Sequence, residues 1–137
     1  MQYQINRIRS AAMLVVVMAF GAMPASGQSG TLKEQKFPDV LAAKVRPMGD
    51  SSFDFDVTVS SPYDTPSRYA DGFRVVSPSG TVFGERKLWH DHQGEQPFTR
   101  DLYSVKIPPG VKQAVIEARD QKYGYGGKSI QVLLPGR

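Results

Sequence analysis

The alternation of apolar and polar residues is plainest at Phe53-Asp54-Phe55-Asp56-Val57-Thr58-Val59, where the two kinds trade places without a break. Successive side chains of an extended chain point to opposite faces. Phe53, Phe55, Val57 and Val59 therefore share one face, and Asp54, Asp56 and Thr58 the other. This reads as a half-buried antiparallel strand with its aspartates in water. Shorter stretches with the same period predict strands over 39–47, 52–60, 72–77, 80–88, 97–107, 111–119 and 128–134, the last with Ile130, Val132 and Leu134 on one face. The breaks between them have turn chemistry. Pro47-Met48-Gly49-Asp50 closes the first strand, Ser77-Pro78-Ser79-Gly80 fits a type I turn, and Pro108-Pro109-Gly110 is a stop.

There is no helical period and no internal repeat. Seven short strands with Gly/Pro punctuation predict an all-β fold, an immunoglobulin/fibronectin-III-like antiparallel β-sandwich of about seven strands over 37–135. In such a sandwich, sequential strands run alternately up and down, so the connections fall at two poles. The first, third and fifth are bare turns. The second, fourth and sixth are long: 61–71, 89–96 and 120–127 hold the single Trp, both His and four of the six Tyr. Tyr and Trp offer a large contact area at low entropic cost, and long loops on a rigid scaffold are where function tends to sit. The sequence therefore predicts a recognition surface at this pole, with Tyr63, Tyr69, Trp89, Arg100, Tyr123 and Tyr125 as binding residues. Replacing Tyr63, Tyr123 and Tyr125 by Ser is then expected to remove binding without changing the melting temperature.

The first residues change the picture of compartment. Arg7 and Arg9 precede an apolar run from Ala11 to Met23, followed by Pro24, Ala25, Ser26 and Gly27, and no acidic residue occurs before Glu34. That is the order of a Sec signal peptide, here 1–27, cleaved after Gly27. A membrane anchor is the competing reading, but the run falls short of the ~20 residues needed to span a bilayer. With no Cys in the chain, lipid attachment is not expected. The sequence thus places the protein in the periplasm or outside the cell, with no stable membrane span in the mature form. Residues 28–36 are polar and unpatterned, an expected disordered lead-in.

Charge adds little once the leader is set aside. Two of the 17 basic residues lie in it, leaving 15 against 13 acidic ones, a net +2 with no basic block. Nucleic-acid binding is not expected. The absence of Cys also means that the domain must hold itself by core burial alone.

Three clusters carry candidate chemistry. His90-Asp91-His92 puts two imidazoles two positions apart, on one side of an extended segment. With Glu95 or Asp91 they form a candidate Zn or Cu site, against the plainer reading of a solvated loop packed on Trp89. Arg100, after Glu95-Gln96-Pro97-Phe98-Thr99, is set either to clamp a carboxylate of Asp91, Glu95 or Asp101 or to bind an anion. Asp50, Asp54 and Asp56 suggest calcium, but alternation alone accounts for the last two. Asp120 is expected to cap the turn that follows it. No Cys, Gly-x-Ser-x-Gly elbow or phosphate loop is present, so the expectation is a non-enzymatic module with no cofactor, or with Zn or Cu on His90, His92 and Glu95.

The stretch from Ala118-Arg119-Asp120 through Tyr123-Gly124-Tyr125-Gly126-Gly127-Lys128 to Pro135 resembles the last two strands of bacterial immunoglobulin-like domains. Residues 71–135, with His90 and His92, Glu95 to Arg100 and Gly124 to Gly127, resemble a group of small exported bacterial proteins with no assigned activity. The resemblance implies a fold and supplies no chemistry. The functional expectation is an exported module that recognises a protein or cell-envelope partner; the alternative is a small periplasmic metal-binding protein.

Overall fold

A computed structural model describes residues 33–137. The expected signal peptide, 1–27, and the lead-in up to residue 32 lie outside the described residues. The described chain forms β1 (Asp39–Pro47), β2 (Ser52–Ser60), β3 (Ala70–Val76), β4 (Val82–Lys87), β5 (Phe98–Lys106), β6 (Gln113–Asp120), β7 (Gly124–Tyr125) and β8 (Ile130–Leu133), with no helix. Every pairing is antiparallel. One sheet runs β1-β2-β5, and the other runs β4-β3-β6 with β7 and β8 both paired to β6. The seven predicted strands are all present, with bounds shifted by at most two residues. The eighth, β7, is a short rung inside the Gly-rich loop, pairing Arg119 with Tyr125 and Asp120 with Gly124.

The alternation at β2 supplies four of the sixteen buried residues of the core. Phe53, Phe55, Val57 and Val59 are buried, and they meet Phe73 and Val75 of β3 together with Ala114, Ile116 and Ala118 of β6. Val40 of β1, Ala70 of β3, Leu88 after β4, Phe98, Val105 and Ile107 from the β5 region and Leu134 after β8 complete it. Each large side chain moved out of water contributes about 1.5–3 kcal/mol, so this cluster is the main reason a Cys-free chain holds together.

Two expectations need correction. Asp54 is not solvated: it is 9% exposed, and its Oδ1 accepts the Ser104 amide at 2.8 Å. The register of β2 against β5 slips between Phe53 and Phe55, and Ser104 has φ +54°. The extra residue of that bulge leaves an amide off the ladder, and Asp54 takes it. Asp56 does face outward, paired with Arg46. The described part of the lead-in, 33–36, is held rather than free. Gln35 donates to the Phe37 and Ser60 carbonyls, and Arg68 donates to the carbonyls of Gln35 and Lys36.

The poles separate as the strand count predicts. Ser77, Pro78 and Ser79 share a cleft with Gly110 to Gln113, and the Ile107 amide bonds to the Ser51 carbonyl. At the other end, the Gln121 amide donates to the Tyr69 carbonyl, and Asp64 reaches both Ala70 and His92. The three long loops therefore sit together.

Candidate functional site

At the pole of long loops the chain first builds a lock. Asp120 is fully buried at the end of β6, and its carboxylate accepts the Tyr63 hydroxyl at 2.6 Å and the Lys122 and Tyr123 amides at 2.8 Å each. The two amide bonds are the expected turn cap, and the rest is long-range. Nε of Arg68 lies 3.3 and 3.4 Å from the two carboxylate oxygens, while its guanidinium sits over the rings of Tyr63 (4.2 Å) and Tyr123 (5.0 Å). Burial alone would raise the Asp120 pKa, but the bonds from Tyr63, the two amides and Arg68 outweigh it, and the pKa is lowered. The Tyr63 phenol is pushed well up, by burial first and then by its bond to Asp120.

Tyr63 is therefore a structural residue, and the expectation that Tyr63→Ser leaves melting unchanged does not fit this geometry. Tyr123 is half-exposed, edge-on to Phe37 at 6.1 Å. The glycines after it make room for that contact. A Cβ on Gly126 would stand 2.5 Å from the Phe37 ring, and one on Gly127, at φ +77°, would stand 2.3 Å from the Pro38 carbonyl oxygen. The Gly-Tyr-Gly-Gly segment is thus the seat of the chain entering β1.

The middle loop is held by a second set of bonds. Asp64, also buried, accepts the amides of Ala70 and His92 at 3.0 Å each. Gln96 accepts the Ser61 amide at 2.7 Å and donates to the Ser61 hydroxyl and the His92 carbonyl. The Gln96–Pro97 bond is cis.

The two histidines do not form the solvent-facing pair read from their spacing. His92 is 3% exposed and stacks on Phe98, with ring centroids 3.9 Å apart, whereas His90 is exposed and its Nδ1 lies against the Asp91 carbonyl. The rings are neighbours at 4.9 Å, but among the described residues Nδ1 of His92 has no hydrogen-bond partner, with Asp64 Oδ2 4.0 Å away. Burial, and then the positive charge of Arg100, lower the His92 pKa, so the ring is neutral near pH 7. Glu95 is bonded twice by Arg100 at 3.0 and 3.1 Å, which holds its pKa down. That is the clamp reading of Arg100, with Glu95 as its carboxylate. Among the described residues no three His, Asp or Glu side chains are grouped to hold a metal. Asp50, Asp54 and Asp56 have separate partners or none in common.

What remains open lies beside the loops, on the outer face of the larger sheet. Gly72 of β3 is in register with Lys87 of β4 and Arg119 of β6, and Arg119 with Tyr125 of β7. Gly72 is buried, with the backbone of β4 close against it: a Cβ there would meet the Arg86 carbonyl oxygen at 2.9 Å. A groove of about 470 Å³ lies over this part of the sheet, lined by Asp71, Gly72, Glu85, Arg86, Lys87, Arg119 and Tyr125. Asp71 pairs with Arg119 through one oxygen, and among the described residues the other is buried without a donor. Tyr125 stacks on Arg74 at 3.7 Å and borders a second cleft of about 300 Å³ with Glu117, Gly126, Gly127 and Ser129. Trp89, 76% exposed, stands next to the groove, with the Lys87 ammonium 5.0 Å over its ring and its carbonyl bonded by Tyr69.

Of the residues singled out by sequence, Tyr125 lines the groove, Trp89 stands beside its Lys87, and Tyr69 bonds the Trp89 carbonyl. Tyr63 and Tyr123 belong to the lock, and Arg100 to the Glu95 clamp. Sequence reasoning missed Arg68, Asp64, Asp71, Arg119 and Gly72. For Gly72 a signal was present, since a glycine inside a strand marks a close backbone approach.

No family model matches the chain, and no solved structure matches it. It is similar to a "Putative lipoprotein" of Halomicrobium mukohataei, at 32% identity over 94 residues, which is 69% of this chain and 46% of that protein. The chain thus spans about half the length of the curated relative it matches.

Proposed function

We propose that the protein is an exported, non-enzymatic binding module of immunoglobulin-like type that attaches to a cell-envelope component. Its binding face is the Gly72 groove with Trp89 at the rim, rather than the tips of the loops. The observation that carries this is the contrast in commitment. Tyr63, Arg68, Asp120 and Tyr123 are engaged with one another, while Trp89 leaves most of its surface in water beside a cleft within the usual 300–1,000 Å³ of ligand sites. An exposed Trp offers a large, rigid contact area to a ligand at low entropic cost. Export is supported by the leader pattern of residues 1–27 and by the name of the relative, since lipoproteins are exported proteins. Among the described residues, no helix is long and apolar enough to cross a membrane.

Co-sedimentation of the purified protein with envelopes isolated from its source cell tests the reading. Wild-type protein is expected in the pellet. The Trp89→Ala and Tyr63→Phe variants are expected in the supernatant and the pellet respectively. Equal retention of Trp89→Ala, or no retention of wild type, would overturn the proposal.

A further inference from the structure

The composition of the groove narrows what it takes, and this step rests on the reading just given. Its walls carry three cations, Arg86, Lys87 and Arg119, against Asp71 and Glu85, with Asp101 paired to Arg86 behind them. The charges cancel. A polyanion would need surplus cations, which are not here. An apolar peptide segment would need an apolar lining, and the groove is walled by ionic side chains. Strand addition would use the edge of β4 and not this face, whose β3 and β6 ladders are already paired on both sides.

The groove does offer donors and acceptors side by side on planar groups, next to aromatic rings. Among the described residues Glu85 and Lys87 have no ion-pair partner, so both a carboxylate and an ammonium are available. Arg119 is held through one terminal nitrogen by Asp71, which fixes the plane of its guanidinium while leaving its remaining N–H groups uncommitted to that pair. Tyr125 is shared between the groove and the adjoining cleft, and Trp89 presents a broad open ring beside the lining residue Lys87.

Neutral charge, neighbouring donors and acceptors and flat aromatic rings together fit the chemistry of a pyranose chain. Its hydroxyls both donate and accept, vicinal pairs of them suit a carboxylate or guanidinium fork, and its C–H faces lie on aromatic rings. We propose that the groove binds a neutral polysaccharide of the cell envelope. One sugar unit sits over Gly72 between Glu85, Lys87 and Arg119, and the chain runs toward Trp89 on one side and the Tyr125 cleft on the other.

Native affinity electrophoresis of the full protein tests this, with gels containing β-1,4-glucan, β-1,3-glucan, α-1,6-glucan or α-mannan, and with poly-glutamate and polygalacturonate as anionic controls. At least one neutral polysaccharide is expected to retard the protein. The apparent affinity is expected to fall about tenfold in Trp89→Ala and in Glu85→Gln, two exposed positions whose melting should not move. Retardation by the anionic polymers instead, retardation unchanged in both variants, or no retardation in any gel would overturn the proposal. If Trp89-dependent envelope binding survives protease treatment of the envelopes but no neutral polysaccharide retards the protein, the ligand class is wrong and the binding face stands. If envelope binding ignores Trp89→Ala, the binding face itself is wrong.

Discussion

Asp120→Ala makes the greatest demand on this account of the loops. The carboxylate has no exposure and takes four donors: the Tyr63 hydroxyl, the Lys122 and Tyr123 amides, and the Arg68 guanidinium. Alanine leaves all four facing a methyl group. Each hydrogen bond to a charged acceptor contributes about 1.5–3 kcal/mol when removed alone, but these share one acceptor group and do not add. Deleting one partner of a buried charge pair costs about 3–5 kcal/mol, and that is the expected loss. At about 4–8 °C per kcal/mol for a domain near this size, melting should fall by roughly 15 °C or more. Asp120→Asn keeps the shape and can still cap the turn, so its loss should be smaller, about 1–2 kcal/mol.

Urea unfolding followed by far-ultraviolet circular dichroism measures both losses. Acid adds a second check with a definite sign. The folded pKa of Asp120 is lowered, so its contribution is present above the unfolded value of about 3.9 and is lost as pH falls through the folded value. Wild type should lose stability in that window, and Asp120→Asn should lack that component. A loss below about 1 kcal/mol for Asp120→Ala would refute the lock.

Other consequences are as direct. The His92 pKa is lowered, so the neutral ring contributes stability above the unfolded value of about 6.5, and this falls away as pH drops from there toward the folded value. His92→Phe should remove that slope, as read by chemical denaturation at a series of pH values. Gly127→Ala should cost more than Gly126→Ala, by calorimetry. The first meets a carbonyl oxygen at a positive φ, while the second meets a side chain that can turn, within a range of about 1–3 kcal/mol for overpacking. Asp54→Ala should cost about 1–2 kcal/mol by stranding the Ser104 amide, as measured by urea titration. Trp89→Ala should change stability by no more than about 0.5 kcal/mol, in the same titration.

The strands were legible because burial on one face leaves a period of two in the chain, and Phe53 to Val59 and Ile130 to Leu134 show it without help from tertiary structure. The meeting of the three long loops followed from counting strands. The fate of particular loop side chains did not follow. Tyr63 and Tyr123 look alike in sequence to Tyr125, and only the approach of Arg68, Phe37 and Asp120 separates lock from open face. Asp54 departed from its own alternation because the bulge that it caps lies on another strand, 50 residues away. His92 read as a ligand by spacing, but Phe98 and Asp64, set by different elements, take it into the core.

Site-directed photo-crosslinking in intact cells tests the central claim most directly. A photoreactive residue is placed at Lys87 in the groove, at Lys122 on the loop tip, or at Ser79 on the opposite pole. The account predicts envelope-linked adducts from position 87, with few from 122 and none from 79. Adducts from 122 in the absence of adducts from 87 would contradict it and return the binding face to the loop tips.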